Sequence, residues 1–117
     1  MDGDGRMIYL EKTLYGRLVR VTAHRLDEGI HVLITGGDRT HVGAVSWAEP
    51  GLPPETKLFP GHKDHFITEK WAGKLAQTTG ARAVVVCGIH YDGAEPEQIR
   101  EILRTSEELL EELCREI

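Results

Sequence analysis

The sequence predicts an α+β domain: an antiparallel β-meander followed by helix, strand and helix. Three observations point to this class. In the first half, apolar residues alternate with polar ones at a period of two, and glycine-bearing turns separate the runs. In the second half, apolar residues recur at helical spacing in two segments. Between those two segments lies a valine-rich run with no polar alternation.

Taken in order, Met7 to Lys12 reads as a first short strand, after a polar leader, Met1 to Arg6, expected to be frayed. Gly16 to Leu26 is a stronger strand, because Val19, Val21 and Ala23 alternate with Arg20, Thr22 and His24. Asp27-Glu28-Gly29 makes a tight turn, and Ile30 to Thr35 returns as the second arm of a hairpin. Gly36-Gly37-Asp38 forms another turn, and His41 to Ala48 completes the meander. The segment from Glu49 to Pro60 contains four prolines and is expected to be a loop. A helix is expected from His62 to Thr79, with Ile67, Trp71 and Leu75 on one face and Gly80 as its stop. Asp64 suits the cap or first turn of that helix.

Ala81 to Ile89 reads as a central strand buried on both faces. Two helices can cover one face of the sheet, so a second copy of the chain is expected on the other. The last helix starts near Glu95-Pro96, where proline suits the first turn. Its apolar stripe is Ile99, Leu103, Leu110, Leu113 and Ile117, widened by Ile102, Leu109 and Cys114. Glu107, Glu108, Glu111 and Glu112 fall mostly outside that stripe and read as a solvated face.

Length and composition limit the functional classes. A chain of 117 residues supports one domain with one core. The net charge of −5 argues against general nucleic-acid binding. The longest apolar run, near Ala83 to Ile89, is too short to span a bilayer, and the start of the chain lacks a signal-peptide pattern. A cytoplasmic protein without membrane or nucleic-acid partners is therefore expected. Cys87 and Cys114 have no CxxC partner and read as small buried hydrophobes.

The chemistry concentrates in three clusters: Gly36-Gly37-Asp38-Arg39-Thr40-His41, Pro60-Gly61-His62-Lys63-Asp64-His65 and Gly88-Ile89-His90-Tyr91-Asp92. Each combines glycine, which lets the backbone approach a ligand, with histidine and aspartate, which bind metals, move protons or hydrogen-bond. His41, His62 and His90 all adjoin glycine-bearing turns, so they are the candidate ligands for a divalent metal. Gly36, Gly37 and Arg39 offer amides and a guanidinium suited to phosphate or carboxylate, though the segment is neither a P-loop nor a dinucleotide fingerprint. Gly61-His62-Lys63, at a helix start, is a second candidate anion site. His24 and His31 lie within strands and carry no motif, and no serine or cysteine has a recognisable base beside it.

These three clusters in this order, with a Glu/Leu-rich terminal helix, resemble the LpdD-like prenylated-flavin chaperone family. Its members are small proteins associated with gallate-type hydroxyarylic acid decarboxylases of the UbiD class. The resemblance covers Gly16 to the C-terminus. It implies a proteasome-assembly-chaperone-like fold paired as a homodimer, with prenylated FMN or FMN bound as cargo for a UbiD-type decarboxylase. It implies no catalysis. Carried onto this sequence, Gly36, Gly37, Arg39, His41, Lys63 and Tyr91 become the cofactor contacts, with the phosphate at Gly37, Arg39 and Lys63. His41, His62 and His90 become the polar or metal contacts. The residues alone leave two competitors: a small metal-dependent enzyme using those histidines with Asp38, Asp64 or Asp92 as base, and a non-catalytic decarboxylase subunit.

Overall fold

A computed structural model describes residues 5–60 and 63–117. Arg6–Leu14 (β1), Arg17–Leu26 (β2) and Gly29–Gly37 (β3) form the expected antiparallel meander. The turn between β1 and β2 is only Tyr15-Gly16, both at positive φ (52° and 71°). That geometry matches the twist of a two-residue hairpin. A tyrosine there is unusual, and its ring packs edge-on against Tyr91 at 6.0 Å. The expected fraying of the leader falls mostly on residues 1–4, outside the described part, but Arg6 already opens β1.

Beyond β3 the chain departs from a simple meander. Ala44–Ala48 (β4) does not pair with β3. The later strand Ala83–His90 (β6) lies between them, parallel to β3 and antiparallel to β4. Within the proline-rich segment, Glu55–Leu58 (β5) pairs with β4 at the sheet edge, where a loop was expected. Four residues flanked by prolines carry too little alternation to register as a strand; the free edge of β4 supplies the order. The sheet order is β1-β2-β3-β6-β4-β5.

His65–Thr79 (α1) and Pro96–Glu116 (α2) cover one face of this sheet. α1 starts three residues later than the sequence suggests, and Gly80, at φ 68°, ends it as expected. Glu95 and Gln98 form a reciprocal capping box at the head of α2, ahead of Pro96. The core joins Val19, Val21, Ile34, Val85 and Cys87 from the sheet to Trp71, Leu75, Leu109 and Leu113 from the helices.

Among the described residues, no helix covers the opposite face of the sheet. Registered neighbours Tyr9, Thr22, Leu33, Val86 and Val45 form one row across it. Met7, His24, His31, Val84 and Trp47 form the next. On the outer face of β6, Val84 is 39% exposed in the single chain and Val86 half-buried, while Gly88 is covered by the His41 segment. The valine-rich sequence of β6 anticipates more cover than one chain supplies.

Candidate functional site

Because β3 and β6 run parallel, both finish at the same edge, with Gly37 opposite His90. α1 begins at that edge too. The three clusters therefore meet within one chain, apart from Gly61 and His62, which lie outside the described residues.

Close backbone approaches hold them together. The Asp38 amide donates to the His90 carbonyl at 2.7 Å, and the Gly43 amide donates to the Cys87 carbonyl at 2.9 Å. A methyl group on Gly37 would overlap the His90 carbonyl; one on Gly88 would overlap the carbonyl of His41. Gly37 (φ 87°) also needs the left-handed region, whereas Gly88 is required purely by space.

Asp64 is the centre of the assembly. It occupies the N-cap position of α1, yet its side chain makes no cap hydrogen bond. It turns inward and is buried. Oδ1 accepts from the Ile89 amide at 3.0 Å and from the Cys87 thiol at 3.6 Å, and Oδ2 accepts from His41 Nε2 at 3.3 Å. Ile89 lies beyond the last residue of β6 paired with β4, so the carboxylate takes the place of a missing strand partner. Burial, and secondarily the Asp64 charge, push the Cys87 thiol well above its ordinary range, so it is an inert thiol.

The outer part of the site is more polar. Asp38 accepts from Arg17 at 2.9 Å and from the Asp92 amide at 2.8 Å. That amide, and then Arg17, hold its carboxyl below the usual carboxylate range, which makes it a poor base. His90 Nε2 lies 2.8 Å from Asp92, to which it donates, and the exposed Arg39 guanidinium sits 3.4 Å from His90 and 3.6 Å from Asp92. Tyr91 is buried, and its hydroxyl donates to the Leu14 carbonyl at 2.9 Å. Arg17 and Tyr91 thus tie the first hairpin to the site.

Beside this cluster, between the heads of the two helices, lies a cavity of about 380 Å³. Lys63, Asp64 and His90 line its polar side. Phe66, Ile67, Ile89 and Tyr91 form one apolar wall, and Ile99, Ile102 and Leu103 of α2 form the other. Among the expected contacts, Arg39, His41, Lys63, His90 and Tyr91 therefore collect at one end of the sheet. Gly36 and Gly37 close β3 there; Gly36 packs against the backbone of Val19. Sequence reasoning missed the α2 wall, Phe66, and the roles of Arg17, Gly43 and Cys87. The signal the sequence carried was Phe66, an aromatic residue off the Ile67, Trp71 and Leu75 stripe of α1.

His41 and His90 have ring centroids 6.3 Å apart. Among the described residues, no group of three or more His, Cys, Asp or Glu is arranged to hold a metal ion. The third candidate ligand, His62, lies outside them.

An anion-friendly rim beside an apolar pocket suits an amphipathic, phosphorylated ligand. The family model described as the prenylated flavin chaperone LpdD-like domain matches residues 15–117. The chain belongs to this family. It is similar to Protein LpdD of Lactiplantibacillus plantarum, at 32% identity over 73 residues, covering 58% of this chain. It spans about half of that relative, 54% of its length. Among solved structures, it is similar to a chain of a chaperone complex for yeast 20S proteasome assembly, with a TM-score of 0.64 at 12% identity. That match covers 92% of this chain and 94% of the other, and it shows the shared fold. The matched family is described as one of chaperones. Among the described residues, no helix is long and apolar enough to cross a membrane.

Proposed function

We propose that this protein carries prenylated FMN and delivers it to a UbiD-type decarboxylase, acting as a homodimer in the cytoplasm. One observation carries the reading: in a member of this chaperone family, a glycine-rich rim bearing Arg39 and Lys63, with Asp92 beside Arg39, adjoins an apolar pocket at the end of the sheet. Arg39 and Lys63 hold the phosphate, with Gly36 and Gly37 allowing close approach. His41, His90 and Tyr91 border the flavin. His41, His62 and His90 are also the candidate ligands for a divalent metal. The inert Cys87 and the weakly basic Asp38 carboxylate, whose pKa is lowered, fit a carrier that must not react with its cargo. The sheet face opposite the helices supports pairing with a second copy.

Anaerobic titration with reduced prenylated FMN tests the reading. Saturable binding near one cofactor per chain or per dimer is expected, weakened in Arg39→Ala and His90→Ala. Unchanged affinity in both variants refutes the proposed rim. Repeating the titration with and without divalent metal decides whether the three histidines act through a metal. Addition of the loaded carrier to an apo-decarboxylase should restore decarboxylation faster than free cofactor does.

A further inference from the structure

We infer that the pocket between the helix heads reads the hydrocarbon that distinguishes prenylated FMN from FMN, with Ile99, Ile102 and Leu103 setting the selectivity. The inference rests on the carrier reading above and adds a specificity to it.

The apolar stripe of α2 is used unevenly. Leu109, Leu110 and Leu113, toward its C-terminal end, are buried against the core. Toward the N-terminal end, Ile102 and Leu103 are only partly buried, and Ile99 is 39% exposed. These three face the cavity, and across it Phe66 is 59% exposed. An apolar stripe that runs beyond its packing partner, toward a second apolar wall, leaves hydrocarbon surface that a ligand can cover.

The size and charge of the cavity select the part of the ligand that enters. About 380 Å³ lies at the small end of ligand pockets. It suits a fragment, with the rest of the nucleotide outside. The cationic group in the lining is Lys63; Arg39, beside His90, is ion-paired with Asp92 at 3.6 Å and can exchange that partner for a phosphate. The acid in the lining, Asp64, is committed to the Ile89 amide and His41. A phosphate therefore stays at the rim while an uncharged group enters. Prenylation adds a five-carbon unit that closes a fourth, non-aromatic ring on the isoalloxazine. That unit is the most hydrocarbon-like part of the cofactor. Unmodified FMN lacks it and would leave the α2 wall uncovered.

Burying about half of that five-carbon unit corresponds to a preference on the order of 30-fold over reduced FMN. The test is parallel anaerobic titration with reduced prenylated FMN and reduced FMN. The wild type is compared with Ile102→Trp, which fills the pocket, and Ile99→Gln, which makes the exposed end of the wall polar. The wild type should show the preference, Ile102→Trp should bring the ratio of dissociation constants to within about threefold, and Ile99→Gln should reduce it several-fold. Ile99 is exposed enough for its variant to fold even if the tryptophan is not accommodated. Equal affinity for the two flavins in the wild type overturns the inference and leaves the carrier reading standing. A preference that survives in both folded variants also overturns it. Binding of neither flavin removes the carrier reading and the inference with it.

Discussion

Replacing Gly88 by alanine should unfold much of what holds the site together. The added methyl meets the carbonyl of His41, a backbone atom with no rotamer in which to escape. Either β6 or the His41 segment must move. Overpacking of this kind costs about 1–3 kcal/mol. Movement of the His41 segment also stretches the bond from the Gly43 amide to the Cys87 carbonyl, worth about 1 kcal/mol, and the His41–Asp64 contact, worth about 1.5 kcal/mol or more for a charged acceptor. Together these give a loss of about 3.5–5.5 kcal/mol, a large share of the stability of a domain this size. Urea unfolding followed by circular dichroism measures it, and the midpoint should fall by roughly 2 M. Gly73→Ala is the control. A methyl there meets only Pro54 Cγ, at 3.8 Å, in the interior of α1, so about 0.5–1 kcal/mol of stabilisation is expected. A Gly88→Ala protein within about 1 kcal/mol of the wild type would refute the close-approach argument.

Three further outcomes follow from the same geometry. Asp64→Ala strands the part-buried Ile89 amide together with the Cys87 thiol and His41 and should cost about 3–5 kcal/mol, whereas Asp64→Asn keeps an acceptor for the amide and should cost about 1–2 kcal/mol. Equal losses in urea unfolding would show that this bond is not what matters. Cys87 and Tyr91 both keep their protons in the folded state above their ordinary values of 9.0 and 10.0, chiefly because of burial. Their contribution is fully present below about pH 9 and declines as pH rises through the folded values, because the unfolded chain ionises first. Unfolding midpoints measured from pH 7 to 11 should thus fall only at the alkaline end, and Cys87 should resist alkylation until the chain unfolds. Val84→Glu places a charge on the sheet face opposite the helices and should turn the proposed dimer into monomers by light scattering; a wild type already monomeric at working concentration would remove the pairing.

Local pattern determined much of this protein. The alternation of Val19, Val21 and Ala23 against Arg20, Thr22 and His24 defined β2 and the face it buries. The spacing of Ile67, Trp71 and Leu75 defined α1, and all three are buried as expected. Glycine with histidine and aspartate marked the three clusters. These signals were legible because period and turn chemistry are properties of neighbours along the chain. Strand order was not. The insertion of β6 between β3 and β4 depends on which edges can pair once a helix has crossed the sheet, and nothing in the His41 to Ala48 segment records its partner. The same closure brought the clusters together and turned Asp64 away from its cap toward Ile89. It also left Ile99, Ile102 and Leu103 facing Phe66 across a cavity instead of a packed neighbour. A helical stripe states which residues seek cover; only the tertiary structure decides whether the chain supplies that cover or leaves it to a ligand.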